Sequence, residues 1–160
     1  GQEPFTMAME AHDFFGASFI SNGGLRILGS DVNTDVLESA VQGCFAEELL
    51  SPIPAAFSKR YFDLASENNN PYHRIKPEIQ KLIQFRQFNL MSSDYPIATK
   101  FQLIFCRNVL YYLQSERRDF LIKKLVDHLE EGGWLVLGIT ESGYKIDKMK
   151  NRSISIYQKI

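Results

Sequence analysis

Short apolar strands alternating with amphipathic helices predict a doubly wound α/β fold with a mostly parallel sheet and right-handed crossovers. Three observations carry that prediction. The run Leu25-Arg26-Ile27-Leu28-Gly29-Ser30-Asp31 ends at an acidic residue and is followed by a capped helical pattern. The apolar run 103–106 breaks off at the polar pair Arg107-Asn108, and a further run, 134–137, follows a long amphipathic stretch. In open α/β sheets ligands lie beyond the carboxyl ends of the strands, so polar residues at such ends mark a crevice.

The elements follow in order. Pro4 suits the first turn of a helix over 5–15, and no strand pattern precedes it. A loop over 16–24 leads to the strand 25–31. Asn33 or Thr34 caps a helix over 35–42, with Val36, Leu37, Ala40 and Val41 at helical spacing and Gly43 as its stop. A second helical piece over 54–62 carries Phe57, Tyr61 and Phe62. Between Asp63 and Gln84 regularity falls: Asn68-Asn69-Asn70-Pro71 is a turn cluster, and short strands over 72–75 and 82–88 flank Pro77. This stretch, 63–84, reads as an inserted flap that leads into a core strand ending at Asn89-Leu90. The strand 101–106 precedes a turn of helix and then a longer helix opened by Ser115, with Leu121, Ile122, Leu125, Val126 and Leu129 in one stripe. Gly132-Gly133 ends that helix, 134–137 is the next buried strand, and 153–157 alternates as a final antiparallel edge strand.

Composition bounds the partners. The 160 residues suit a single domain, and 44% hydrophobic content provides a real core. Lys and Arg number 18 against 19 for Asp and Glu, so no net field gathers nucleic acid or an anionic membrane. Cys44 and Cys106 match no metal-ligand or redox spacing, which points to a reduced, cytoplasmic protein. No apolar run approaches the roughly 18 residues needed to span a bilayer, so direct membrane insertion is not expected. His12, His73 and His128 are scattered without the spacing of a zinc site or a hydrolase triad.

The residues able to carry chemistry stand at the strand ends. Asp31 is placed to accept hydrogen bonds from both hydroxyls of a ribose, or else to serve as a turn aspartate. Glu3, beside Gln2 at a helix start, either binds an ammonium group or pairs with the positive helix N-terminus. Asn89 reads an adenine edge through its amide or simply ends a strand. Arg107 directly follows a buried run and must find a partner or a crevice, with Asn108 beside it. The chain has no GxGxxG, no P-loop and no GxSxG. Nucleotide-like geometry without a phosphate cradle suits an adenosyl ligand such as S-adenosylmethionine better than a dinucleotide.

Gly1-Gln2-Glu3-Pro4-Phe5-Thr6-Met7-Ala8-Met9 resembles the G-E-E-P-Y-S-x-A-M segment of the CheR-type chemotaxis receptor methyltransferases. Further matches follow in the family's order: Ser30-Asp31-Val32-Asn33 with Val36-Leu37 and Ala40, Arg60-Tyr61-Phe62, Phe88-Asn89-Leu90, and Phe105-Cys106-Arg107-Asn108-Val109 with Tyr112. The resemblance implies a class I, Rossmann-like methyltransferase fold with a small inserted β-subdomain over 63–84. It implies methyl transfer from S-adenosylmethionine to glutamate side chains in the cytoplasmic domain of chemoreceptors, leaving S-adenosylhomocysteine. By motif, Glu3 binds the methionine moiety, Asp31 the ribose, and Asn89 with Leu90 the adenine. Arg107 and Asn108 line the cofactor pocket beside the methyl group, with Tyr112 near the substrate entrance, and Arg107 and Tyr112 are the catalytic candidates. The inserted segment lacks the glycine-bearing loop that tail-binding members tend to carry, so docking of a receptor tail is not expected. The family's first strand, the glycine-rich start of its first motif and its helical N-terminal domain are expected upstream of Gly1. The fragment alone is therefore expected to be poorly active unless an upstream segment or a partner chain completes the sheet. A methyltransferase acting on another substrate and a non-catalytic module that senses S-adenosylmethionine are the alternatives.

Overall fold

The computed structural model describes residues 1–67 and 70–160, so Asn68 and Asn69 of the expected turn cluster lie outside the described residues. The chain forms two units, Gly1–Asn89 and Leu90–Ile160.

The first unit opens with helix α1 (Gln2–Ser21), in which Phe5, Ala8 and Met9 are buried at the three- and four-residue spacing of one helical face. Gly16 breaks it with φ 81° and ψ 160°, and the helix resumes as far as Ser21. The loop expected over 16–24 is thus largely helical, because a single glycine interrupts a helix without ending it. Strand β1 (Ile27–Asp31) leads to helix α2 (Thr34–Gln42). The Asn33 side chain caps α2 by accepting from the N–H groups of Asp35 and Val36 at 2.8 and 3.3 Å. Gly43 closes it in the left-handed region at φ 61°. Both signals behave as the sequence predicts, but the apolar stripe of α2 does not become a core face. The helix packs through the small Ala40, and Val36 and Val41 stay exposed.

Strand β2 (Cys44–Phe45), helices α3 (Glu47–Leu50) and α4 (Ala55–Tyr61), strands β3 (Phe62–Glu67) and β4 (Asn70–Ile75), helix α5 (Pro77–Gln80) and strand β5 (Ile83–Gln87) complete the unit. The stretch expected to be an irregular flap divides in two. Strands β3 and β4 form an antiparallel hairpin in continuous register from Phe62↔Ile75 to Glu67↔Asn70, and β2 adds a third strand against β4. Strand β5 belongs elsewhere: it pairs parallel with β1, from Ile27↔Ile83 to Asp31↔Gln87. The core of the unit gathers Phe5, Met9, Tyr61, Phe62, Ile75 and Ile79.

The second unit contains β6 (Phe101–Cys106), a 3-10 turn (Leu110–Tyr112), helix α6 (Ser115–Asp127), β7 (Leu129–Leu137), a second 3-10 turn (Ile139–Glu141), β8 (Met149–Ser153) and β9 (Ile156–Lys159). Its sheet runs β6-β7-β9-β8, with β6 and β7 parallel and the other pairs antiparallel. The stripe of α6 is buried as predicted, with Leu121, Ile122, Leu125 and Val126 at 0 to 6% exposure, while Leu129, expected on the same helix, is buried as the first residue of β7. Three expectations change. The run 103–106 is only half a core strand: Ile104 and Cys106 pack into the α6 core, while Leu103 and Phe105 point to the other face at 43 and 36% exposure. The glycine pair is absorbed into β7, with Gly132 at φ 78°. The stretch 153–157 spans the turn between β8 and β9, so the edge strand at that side of the sheet is β8 and β9 lies inside it.

Gly43 joins the two structural demands of its turn, since a Cβ there would lie 2.5 Å from Ile75 Cγ2 and φ is positive. Gly43→Ala is expected to lower unfolding free energy by about 1–2 kcal/mol, read from the shift in denaturant midpoint at unchanged slope.

Candidate functional site

Each unit carries its polar residues at strand ends. In the first, β1 and β5 are parallel, so their carboxyl ends share one edge. Asp31 is the last residue of β1, and Asn89 stands two residues beyond β5, where the Phe88 N–H still donates to the Asp31 carbonyl at 3.2 Å. Asp31 is half-buried, and its Oδ1 accepts from the Asn33 N–H at 2.9 Å. A carboxylate offers about four lone-pair sites, so this turn bond leaves capacity for an outside donor pair. The first turn of α1, bearing the half-buried Glu3, comes to the same strand: a Cβ at Gly29 would lie 3.4 Å from Pro4 Cγ and 2.8 Å from the Phe85 ring. Gly29 thus permits the close approach of helix, strand and ring two residues before Asp31. Glu3, Asp31 and Asn89 are the predicted site residues of this unit, and the strand pairing brings Asp31 and Asn89 to one edge.

In the second unit, β6 ends at Cys106, and the next six residues carry Arg107, Asn108 and Tyr112, all exposed. Asn108 is left-handed at φ 59°, a conformation that few non-glycine residues adopt but that asparagine tolerates. Val109, half-buried, and Leu110, fully buried, then turn the loop into the core. Leu90, half-buried, packs against the same core, and its carbonyl accepts from the Tyr95 hydroxyl at 2.5 Å.

Three residues that the sequence reading passes over stand out in this unit, and the first of them supports the loop. Glu141 is 1% exposed and accepts from four backbone N–H groups. Its Oε2 takes those of Asn108 at 2.8 Å and Gly138 at 3.0 Å, and its Oε1 those of Leu110 at 2.6 Å and Tyr111 at 3.3 Å. The signal was a glutamate three residues after Gly138, the residue that follows the strand, which is the N-cap to N3 spacing at which a side chain reaches back to the cap. Tyr111 is the second: its hydroxyl donates to that of Tyr112 at 2.6 Å, with ring centroids 4.0 Å apart, and this bond raises its pKa. Tyr95 is the third, its phenol pushed up to about 12 by burial and, secondarily, by Cys106. No periodicity marks either tyrosine.

Comparison with known proteins adds the following. Residues 1–157 match the family model described as "CheR methyltransferase, SAM binding domain". Chemotaxis protein methyltransferase 2 of Pseudomonas aeruginosa is 34% identical over 89% of this chain and 50% of its own length. The chemotaxis protein methyltransferases of Borreliella burgdorferi and Escherichia coli are each 29% identical over 89% of this chain and 49% of their own. The chain spans about half the length of the curated relatives it matches. Among the described residues no helix is long and apolar enough to cross a membrane.

A folded-state tyrosine pKa raised above its unfolded value stabilises the fold fully below the unfolded pKa, and that stability is lost as pH rises through the folded one. Unfolding free energy is therefore expected to decline between pH 10 and about 12 with a component due to Tyr95. Tyr95→Phe should remove that component, measured by denaturant melts across the interval.

Proposed function

The chain belongs to the CheR methyltransferase SAM-binding domain family, and on that premise we propose that the intact protein methylates glutamate side chains of chemoreceptor cytoplasmic domains. The observation that carries the cofactor side of this reading is the placement of Asp31. A half-buried carboxylate at the carboxyl end of a parallel strand, with one oxygen engaged by a single turn N–H, has the acceptor capacity that a ribose diol needs. The residues present therefore fit S-adenosylmethionine. In the first unit Asp31 holds the ribose, Asn89 the adenine edge and Glu3 the ammonium of the methionine moiety. In the second, Leu90 contributes an apolar contact to the adenine, Arg107 and Asn108 serve the region of the methyl group, and Tyr112 serves the entrance of the substrate.

When bound, S-adenosylmethionine supplies a methyl carbon on a sulfonium, an electrophile that a carboxylate oxygen attacks without prior deprotonation. No strong general base is required of the chain. Its residues place the reactants, and placement alone is worth roughly 7–11 kcal/mol in the best cases. Arg107 orients the incoming glutamate carboxylate. Pairing that is too tight would steady the ground state as much as the transition state, so the role of Arg107 is positional.

The antiparallel sheet of β2, β3 and β4 is the inserted subdomain of a single catalytic domain in this reading. Among the described residues β6 pairs only with β7, and Leu103 and Phe105 remain partly exposed. That edge suits an additional strand, from an upstream segment of the chain or from a partner, because unpaired strand edges are costly to leave open.

Two outcomes test the proposal. The intact protein, given methyl-labelled S-adenosylmethionine and receptor cytoplasmic fragments, should place base-labile label on the receptor; base-stable label or none would refute glutamate esterification. Asp31→Ala should weaken S-adenosylmethionine binding about 10- to 100-fold in calorimetry, the loss expected for charged hydrogen bonds. Asp31→Asn, which keeps an acceptor for the turn, should lose less.

A further inference from the structure

We propose that Glu141 is a positioning residue for the loop 107–112, holding Asn108 left-handed and Tyr112 in place through the backbone. The role of that loop in methyl transfer rests on the reading above; the geometry of the clamp does not. Glu141 arrives from the turn after β7, yet three of its four hydrogen bonds go to the loop after β6, at Asn108, Leu110 and Tyr111. Its fourth partner, the Gly138 N–H, lies at the start of its own turn. A buried carboxylate is costly unless hydrogen-bonded, and here both oxygens are doubly engaged. The same bonds satisfy N–H groups that a loop leaving a strand cannot pair with a neighbouring strand.

A second observation supports the assignment independently. A Cβ at Gly138 would sit 2.6 Å from Glu141 Oε2 and 3.3 Å from the Asn108 nitrogen. Position 138 is a glycine at φ −66°, where backbone conformation makes no demand for one. The demand is the space occupied by the carboxylate and the loop it holds. Asn108 itself gains a bonded N–H in a conformation that is otherwise unfavourable at φ 59°. Beyond it the chain passes through the bonded N–H groups of Leu110 and Tyr111 to the hydroxyl pair of Tyr111 and Tyr112. Glu141 thus acts on the exposed side chains of the loop through its backbone.

Glu141→Gln keeps the shape of the side chain but turns an NH2 toward two N–H donors, which breaks two bonds and opposes them. The test has an arm that needs no turnover. With 13C-labelled tyrosine in the protein, the Tyr111 phenol, assigned through Tyr111→Phe, should titrate above the ordinary range in the wild type and move back toward it in Glu141→Asp, which withdraws the bonds but keeps the carboxylate charge that, after the Tyr112 hydrogen bond, itself raises Tyr111. An unmoved Tyr111 titration in the folded variant overturns the proposal. In the intact protein, Glu141→Gln should lower kcat/KM for methyl transfer on the order of 100-fold and raise KM for the receptor fragment. Combined with Tyr112→Phe its effect should be strongly non-additive. Additive losses, or a fall in kcat with KM unmoved, would reduce Glu141 to a general stabiliser of the fold and overturn the positioning role. If Glu141→Gln does not fold, Glu141→Asp, which keeps the charge and withdraws it by one methylene, is read in the same way. Absence of transfer by the wild type would sink the functional reading alone and leave the tyrosine titration to decide the clamp.

Discussion

Parallel strand pairing is the constraint on which both units depend. Two parallel strands finish at the same edge, and the chain must leave each one there through a turn whose N–H groups have lost their ladder partners. In the first unit this edge belongs to β1 and β5, and the Asp31 carboxylate takes the N–H of Asn33 as the chain turns into α2. In the second it belongs to β6 and β7, and Glu141 takes the N–H groups of Asn108, Leu110 and Tyr111. The need to satisfy backbone donors at a strand end thus places carboxylates where an α/β protein meets its ligands.

The two carboxylates resolve that need differently. Asp31 is half-buried and spends one bond on its turn, which leaves it an acceptor for something outside the chain. Glu141 is buried and spends four bonds on backbone, which makes it a fixture of the fold. Burial and the number of bonds already made separate an acid with acceptor capacity to spare from a loop-holding one, although both follow a strand. The tyrosines divide in the same way: Tyr95 is withdrawn under Leu90, while Tyr111 and Tyr112 share a hydrogen bond at the surface.

Much of this was legible in the sequence wherever a signal was local. Asn33 and Gly43 bracket α2 because capping geometry is set within a few residues of chain. The α6 stripe buries as its spacing predicts because a thirteen-residue helix samples more than three full turns. Arg107 and Asn108 mark the end of β6 because an apolar run cannot absorb an arginine. The reading failed where a local pattern met a tertiary choice. The stripe of α2 has the right period but is only partly covered, since Ala40 alone is buried, Leu37 is half-buried and Val36 and Val41 are exposed. The two residues of β2 carry no period at all, so the third strand of the antiparallel sheet could not be anticipated.

By itself, the sequence determined the alternation of the principal strands and helices, the caps of α2, and which polar residues stand at strand ends, since each follows from side-chain chemistry over a few consecutive positions. The resemblance carried by its motifs also placed the chain in its family. Only the tertiary structure decided that 83–87 joins β1 and leaves the hairpin, that Leu103 and Phe105 face away from the α6 core, and that Glu141 reaches back across 33 positions to Asn108. Those outcomes depend on pairing between distant segments, where many arrangements satisfy the same local pattern and only burial and hydrogen bonding across the fold select among them.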